Sequence, residues 1–155
     1  MSVIIGIDIG GSSTKIVGFS AKGKDWELIE PQIVKANDPV TSTYGAFGKF
    51  TDENNLAISD ISKVMMTGVG ASHIKNSLYG LKCQRVAEFD SIGRGGTYLS
   101  GISDALVVSM GTGTAIVSAD ETPPPPCVSI LRGAVPSSKY VISITISFTY
   151  SSMYE

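Results

Sequence analysis

A glycine-rich segment near the N-terminus constrains the fold more than any other part of this sequence. Residues 3–8 form an apolar run typical of a buried strand, and two glycines and two serines after it predict a tight turn. Residues 14–19 are again apolar and β-branched. Because a second strand and not a helix follows the turn, the pattern predicts a β-hairpin.

The tip of this hairpin carries residue types that suit a phosphate group. Glycine lets backbone N–H groups approach an anion, while hydroxyls and a lysine add donors and positive charge. Asp8, at the end of the first strand, could hold Mg²⁺ directly or through water, since hard cations prefer oxygen ligands. A glycine-rich hairpin without a ligand is the alternative interpretation. The residues predicted to bind phosphate are Gly10, Gly11, Ser12, Ser13, Thr14 and Lys15.

The rest of the chain alternates between predicted strands and helices. Pro31 cannot donate to a strand ladder, so the third strand is expected at a sheet edge. The order βββαβαβαββ predicts an α/β fold, a mixed sheet with helices on its faces. The predicted strands are 26–34, 61–67, 85–89, 105–110 and 115–118, and the predicted helices are 40–50, 71–79 and 90–99.

Composition narrows the class of protein. With 43% hydrophobic and 17% charged residues, the 155-residue chain is not intrinsically disordered. A net charge of −2 without a basic run argues against a nucleic-acid partner. No export signal and no apolar stretch of about 18 residues are present, so we expect no membrane partner. Cys83 and Cys127 lack metal-ligand spacing, which favours a reduced, cytoplasmic protein, and His73 is expected to be a partly exposed structural residue.

A second turn of the same construction lies about 100 residues after the first. It consists of Gly111, Thr112, Gly113 and Thr114, between two predicted strands. Two such turns, with an acidic residue on a strand end between them, are the arrangement expected where the phosphates of a nucleotide are held from two sides.

Four segments resemble the acetate and sugar kinase, Hsp70 and actin superfamily, and within it the type II, eukaryotic-like pantothenate kinases. They are residues 6–17 (GIDIGGSSTKIV), 67–72 (TGVGAS), 88–95 (EFDSIGRG) and 107–114 (VVSMGTGT). The first is shared across the superfamily, and the Glu-Phe-Asp motif is the one that points to pantothenate kinase. The resemblance implies a ribonuclease H-like mixed sheet with flanking helices, as in one actin-like ATPase lobe.

The resemblance also implies a reaction. These kinases use ATP and Mg²⁺ to phosphorylate pantothenate to 4′-phosphopantothenate, the first step of coenzyme A biosynthesis, and a homodimer is expected for the full-length family. The glutamate of their motif is the base for the primary hydroxyl of pantothenate, and the matching residue is Glu88. Gly111 to Thr114 would form the second phosphate loop, and Thr112 would contact pantothenate. Without the resemblance, Glu88 would be explained as a helix N-terminal charge that the macrodipole favours.

The C-terminal segment departs from the family after about residue 120. Thr122 is followed by four prolines, and residues 137–155 are rich in Ser, Thr, Tyr, Val and Ile. We therefore expect an N-terminal kinase lobe in residues 1–120 and a divergent tail in 121–155, truncated or frame-shifted, so that this chain alone is inactive. A genuine C-terminal strand after a proline linker is the alternative, with alternation at Val141, Ile142, Ile144, Ile146 and Phe148.

Two other functions remain open. One is a sugar or N-acetylhexosamine kinase of the same superfamily. The other is a non-catalytic nucleotide-binding or activator domain, which would keep the phosphate turns and need no base. Replacement of Glu88 separates this last hypothesis from the kinases.

Overall fold

The predicted hairpin opens the computed structural model, which describes residues 2–110, 114–120, 129–130 and 140–145. Strands β1 (Val3–Ile9) and β2 (Ser13–Lys22) pair antiparallel, with Asp8 opposite Lys15 and Ile9 opposite Thr14. Every second residue of β1 is buried, from Val3 to Ile9. This period of two places the apolar side chains of the hairpin on one face of the sheet.

The hairpin belongs to a six-stranded mixed sheet, which confirms the predicted α/β class. The sheet has the order β3-β2-β1-β4-β6-β5, so β3 lies at an edge, as Pro31 predicted. Strands β1, β4 and β6 run parallel to one another. The further strands are β3 (Asp25–Lys35), β4 (Ile61–Thr67), β5 (Ser77–Leu78) and β6 (Leu81–Arg85).

Helix α1 (Pro39–Glu53) covers one face of this sheet and confirms the predicted helix at 40–50. Asp38 caps it by accepting a hydrogen bond from the Thr41 N–H at 2.6 Å, and proline occupies its first turn. Phe47 and Phe50 are fully buried in the core formed with β1 and β4. A Cβ at Gly18 would lie 2.9 Å from the Phe50 ring, so the close approach of helix and sheet requires glycine there.

The predicted helix at 71–79 is wrong. Residues Val69–His73 form only a short 3₁₀ helix, and β5 and β6 then form a hairpin. Its two turn residues, Tyr79 and Gly80, both have positive φ (50° and 84°), which is the geometry of a type I′ turn. The strand predicted at 85–89 is displaced for the same reason, because β6 already ends at Arg85. The 3₁₀ helix Ile58–Asp60 precedes β4.

A second compact unit begins at Phe89, whereas Met1–Glu88 form the first. Helix α2 (Glu88–Ser100) begins two residues before its predicted start and leads into the antiparallel pair β7 (Asp104–Met110) and β8 (Thr114–Asp120). An ideal Cβ at Gly96 would lie 2.5 Å from Val107 Cγ2. This close packing explains why a helix contains a glycine where its propensity disfavours one.

Two further strands complete the second sheet. β9 (Ser129–Ile130) pairs with β8, and β10 (Tyr140–Thr145) pairs in parallel with β7. Ile146 and Phe148 of the proposed C-terminal strand lie outside the described residues, as do Cys127 and most of the segment 121–155. The predicted boundary at residue 120 and the divergent origin of the tail stay predictions.

The described part of the chain holds no helix with the length and apolarity needed to cross a bilayer.

Candidate functional site

The turn between β1 and β2 is held in shape by backbone hydrogen bonds. The Gly10 N–H donates to the Ser13 carbonyl at 2.9 Å, and the Ala36 N–H donates to the Ser12 carbonyl at 3.1 Å. Gly11 and Ser12 are exposed at the tip, and within the described residues no acceptor contacts their N–H groups. Nothing would lie within 4 Å of a Cβ at Gly11. The turn therefore presents two backbone donors to open space, as an anion site requires.

Asp8 and Lys15 form an ion pair beside this turn. Lys15 Nζ lies 2.7 Å from Asp8 Oδ2, and both side chains are about one-third exposed (32% and 36%). The two residues are directly opposite each other on β1 and β2, so they share a face of the sheet. From the sequence, Asp8 was expected to bind a metal and Lys15 a phosphate, whereas in the structure the two side chains bind each other.

The end of β4 closes the site on the other side of β1. Thr67 is paired with Asp8 in register, and Gly68 follows with a φ of +89°. An ideal Cβ at Gly68 would lie 2.6 Å from Asp8 Oδ1 and 2.5 Å from the Ile9 carbonyl oxygen. Thr67 Oγ1 is buried and has no hydrogen-bond partner among the described residues. The sequence assigned neither residue a role, although their place at a strand end, at the start of the TGVGAS segment, was the available signal.

Thr14 lies on the opposite side of the sheet from Lys15. It is fully buried on the core face, and its hydroxyl has no hydrogen-bond partner among the described residues. Ser13 is half-buried, whereas Ser12 is exposed. Phosphate binding by the Thr14 hydroxyl stays a prediction, because alternation along β2 points its side chain toward the core and away from the ion pair.

Glu88 is the first residue of α2 and is exposed. The Val86 N–H donates to the Met66 carbonyl at 2.9 Å, which continues the parallel pairing of β6 with β4 almost to Glu88. Since β1, β4 and β6 are parallel, Asp8, Thr67 and Glu88 all lie at the carboxyl edge of one sheet. Two strand spacings, about 10 Å, separate β1 from β6. The position at a helix N-terminus also agrees with the macrodipole explanation of this residue.

The second turn lies largely outside the described residues. Gly111, Thr112 and Gly113 are not described, and Thr114 is an exposed first residue of β8. The turn joins two antiparallel strands, as predicted. Its role in binding stays a prediction.

Among the described residues, Asp38 and Cys83, away from this edge of the sheet, have shifted pKa values. The Thr41 N–H holds the pKa of Asp38 below its usual value, and the nearby charge of His73 adds to the effect. His73 itself is exposed in the 3₁₀ helix. Burial raises the pKa of the Cys83 thiol, which keeps this core residue protonated.

The donor set at the sheet edge limits the kind of metal that fits. Across the described ranges, His, Cys, Asp and Glu form no cluster of three or more that could hold a metal ion. At the end of β1, Asp8 offers a carboxylate, and Thr67, which is paired with it, offers a hydroxyl. This set fits Mg²⁺, which keeps several waters and is commonly held by one or two carboxylates together with substrate phosphates.

No known protein family and no curated protein sequence matches this chain. Among solved structures, it is similar to the activator of 2-hydroxyisocaproyl-CoA dehydratase from Clostridium difficile with bound ADPNP, at 18% identity and a TM-score of 0.64 over 83% of this chain and 46% of that one. Component A of (R)-2-hydroxyglutaryl-CoA dehydratase from Acidaminococcus fermentans gives 18% identity and a TM-score of 0.60, over 77% and 43% of the two chains. A Pseudomonas aeruginosa protein with similarity to peptidase YeaZ gives 10% identity and a TM-score of 0.61, over 92% of this chain and 75% of that one.

These likenesses show the fold: the chain has the mixed α/β architecture of an actin-like ATPase lobe, as predicted. The chain spans less than half the length of the two dehydratase proteins, 46% and 43%. The sequence identities are too low to carry a reaction or a substrate across.

Proposed function

We propose that this chain is part of an ATP-dependent kinase that phosphorylates pantothenate to 4′-phosphopantothenate. The observation that carries the proposal is the common edge of the first sheet, where β1 and β2 supply the turn and Asp8, and where Glu88 follows β6. The actin-like fold supports binding of a nucleotide, and the Glu-Phe-Asp motif supports pantothenate as the phosphate acceptor.

The first turn would hold the phosphates of ATP. Gly11 and Ser12 are exposed, their N–H groups have no acceptor among the described residues, and Lys15 supplies a positive charge nearby. Asp8 is the carboxylate for Mg²⁺, and the unpartnered hydroxyl of Thr67 is a second oxygen in register with it. When bound, Mg²⁺ neutralises charge on the phosphates.

Glu88 would act on the acceptor. Its exposed carboxylate accepts the proton of the primary hydroxyl as the hydroxyl oxygen bonds to the γ-phosphorus of ATP, and the bond to the β,γ-bridging oxygen breaks to release ADP. Phosphoryl transfer needs mostly positioning and charge neutralisation, so one carboxylate suffices as a base. By resemblance, residues 111–114 supply the second phosphate loop, with Thr112 against pantothenate. A cytoplasmic location and a homodimer of the full-length protein belong to the same proposal.

A nucleotide-binding activator domain without a base is the second candidate function. It is favoured by the likeness to a dehydratase activator with bound ADPNP, at a TM-score of 0.64. The position of Glu88 at the start of α2 also has a structural explanation that needs no catalysis.

Glu88→Gln separates the two candidates. In a version of this chain extended with the C-terminal half of a type II pantothenate kinase, the substitution should lower turnover by about 100-fold or more. Nucleotide binding should stay nearly unchanged, because glutamine keeps the shape and loses only the base. Glu30→Gln, an exposed glutamate on the edge strand β3, is the matched control and should retain full turnover.

Two results would contradict the kinase. Equal turnover in the parent and the Glu88→Gln variant would remove Glu88 from the mechanism. Nucleotide binding without any phosphorylation of pantothenate would favour the activator domain. We expect the unextended 155-residue chain to bind nucleotide weakly and to give no 4′-phosphopantothenate above its Glu88→Gln control.

A further inference from the structure

Two cations, the ammonium of Lys15 and the proposed metal, would bind the same carboxylate, that of Asp8, at the edge of the first sheet. The ammonium of Lys15 already lies 2.7 Å from Asp8 Oδ2. The proposed metal needs an oxygen of the same group. Two positive charges on one carboxylate repel each other, so the metal binds Asp8 more favourably when Lys15 moves away.

The carboxylate itself has little freedom to move. The backbone of Asp8 is paired with Lys15 of β2 on one side and with Thr67 of β4 on the other. Gly68 lies so close that even a Cβ there would be 2.6 Å from Asp8 Oδ1. Lys15, by contrast, carries its charge at the end of a flexible four-carbon chain. The lysine is therefore the mobile member of the pair.

We infer, on the basis of the proposed function, that Lys15 is an internal stand-in for the metal: it neutralises Asp8 until a metal–phosphate ligand binds, and then moves to the phosphate. Metal alone must displace a tethered ammonium. Phosphate alone must draw Lys15 away and leave Asp8 without a counter-charge. A metal–phosphate complex provides a positive charge for Asp8 and a negative charge for Lys15 at the same time.

The exchange makes the two ligands cooperative. Nucleotide should raise the affinity for the metal, and by linkage the metal should raise the affinity for the nucleotide by the same factor. The unpartnered hydroxyl of Thr67, in register with Asp8, supplies a further oxygen on the side of the carboxylate away from β2. The site is thus arranged to favour the complex over either component.

Binding of Mn²⁺ to the 155-residue chain, followed by the electron paramagnetic resonance signal of the free ion, tests the inference. In the absence of nucleotide, Lys15→Met should bind Mn²⁺ about fivefold more tightly than the parent. Measured against a protein-free sample, because the analogue itself binds Mn²⁺, a non-hydrolysable ATP analogue should raise Mn²⁺ affinity in the parent and do so less in the variant. Lys22→Met is the matched control, because Lys22 forms a similar ion pair, 3.1 Å from Glu27, at the far end of the same strand.

Equal Mn²⁺ affinity in the parent and in Lys15→Met without nucleotide would overturn the inference, and so would an unchanged affinity in the parent when the analogue is added. Lys15→Gln repeats the comparison with a polar side chain if the methionine variant does not fold by circular dichroism. Failure of the parent to bind the analogue at all would instead overturn the proposed function. The arm with metal alone distinguishes the two outcomes, because it requires no nucleotide.

Discussion

The two glycine-containing hairpins look alike in sequence and differ in charge. In the first, the pair next to the closing pair of the turn is Asp8 and Lys15. In the second, the corresponding pair is Ser109 and Ala115, and the closing pair is Met110 and Thr114. The first hairpin can therefore hold a cation and an anion, whereas the two residue pairs that flank the turn of the second offer only neutral side chains. Similar turns do not imply similar sites, because the residues that flank a turn decide its electrostatics.

Support from a neighbouring strand is the second difference. In the first hairpin, the carboxyl end of β1 is flanked by Gly68, whose positive φ and close contact with Ile9 and Asp8 exclude a side chain. Among its described neighbours, the second hairpin has a close contact of another kind, between Gly96 of α2 and Val107 in the middle of β7. The contact of Gly68 involves backbone atoms beside the candidate site, whereas the contact of Gly96 involves the buried side chain of Val107.

Gly68→Ala should have the largest effect on stability. A positive φ is strained for alanine, and the new Cβ would lie 2.5 Å from a backbone oxygen. We expect the free energy of unfolding to fall by about 3 kcal/mol in chemical denaturation. Gly45→Ala is the control, because Gly45 is an exposed helical glycine with open space around it, and should raise the same free energy by about 0.5 to 1 kcal/mol. A Gly68→Ala protein as stable as the parent would show that the contact relaxes freely.

Asp8→Asn should weaken binding of the Mg²⁺–ATP complex by about tenfold or more, since a charged oxygen ligand becomes neutral. Ser109→Ala, at the corresponding position of the second hairpin, should change the affinity much less. Thermal shifts measured over a range of Mg²⁺–ATP concentrations give both values. Identical shifts for Asp8→Asn and the parent would remove the metal role of Asp8 and the charge contrast between the hairpins.

Gly96→Ala should destabilise less than Gly68→Ala. Its Cβ would meet side-chain atoms of Val107 and no backbone atom, φ at Gly96 is not positive, and alanine has the higher helix propensity. A net loss of about 1 kcal/mol in the free energy of unfolding is expected. The double variant Gly96→Ala with Val107→Ala should recover part of the loss attributable to overlap, and a double variant with no recovery would contradict close packing at this position.

Asp38→Ala should have the smallest effect, and one that depends on pH. The Thr41 N–H lowers the pKa of Asp38 in the folded protein from the ordinary 3.8. The carboxylate therefore stabilises the fold above that value, and the contribution is lost as the pH falls through the lowered pKa. The melting temperatures of parent and variant should differ near neutral pH and converge in acid. A difference that stays constant across this range would mean that the charge of the cap contributes nothing.

Much of the first sheet followed from local pattern. The strands of the first hairpin, the edge position of β3, helix α1 and strand β4 were all predictable, because each combines a clear period with a boundary residue such as Pro31 or Asp38. The region 71–85 was not, because its short apolar runs fit a helix and a strand equally well. Gly80 was the only sequence signal for the turn, because tyrosine is not among the residues that favour the first position of a type I′ turn.

The sequence by itself determined which chemical groups are available: a carboxylate at a strand end, a glycine-rich turn, a lysine after it and a glutamate at the start of a helix. Only the tertiary structure decided how they are combined. Pairing of β1 with β2 joins Asp8 to Lys15, and pairing of β1 with β4 brings Thr67 and Gly68 against the same carboxylate. The physical reason is that strand register relates residues as far apart as Asp8 and Thr67, whereas periodicity and turn chemistry report only on neighbours within a few residues.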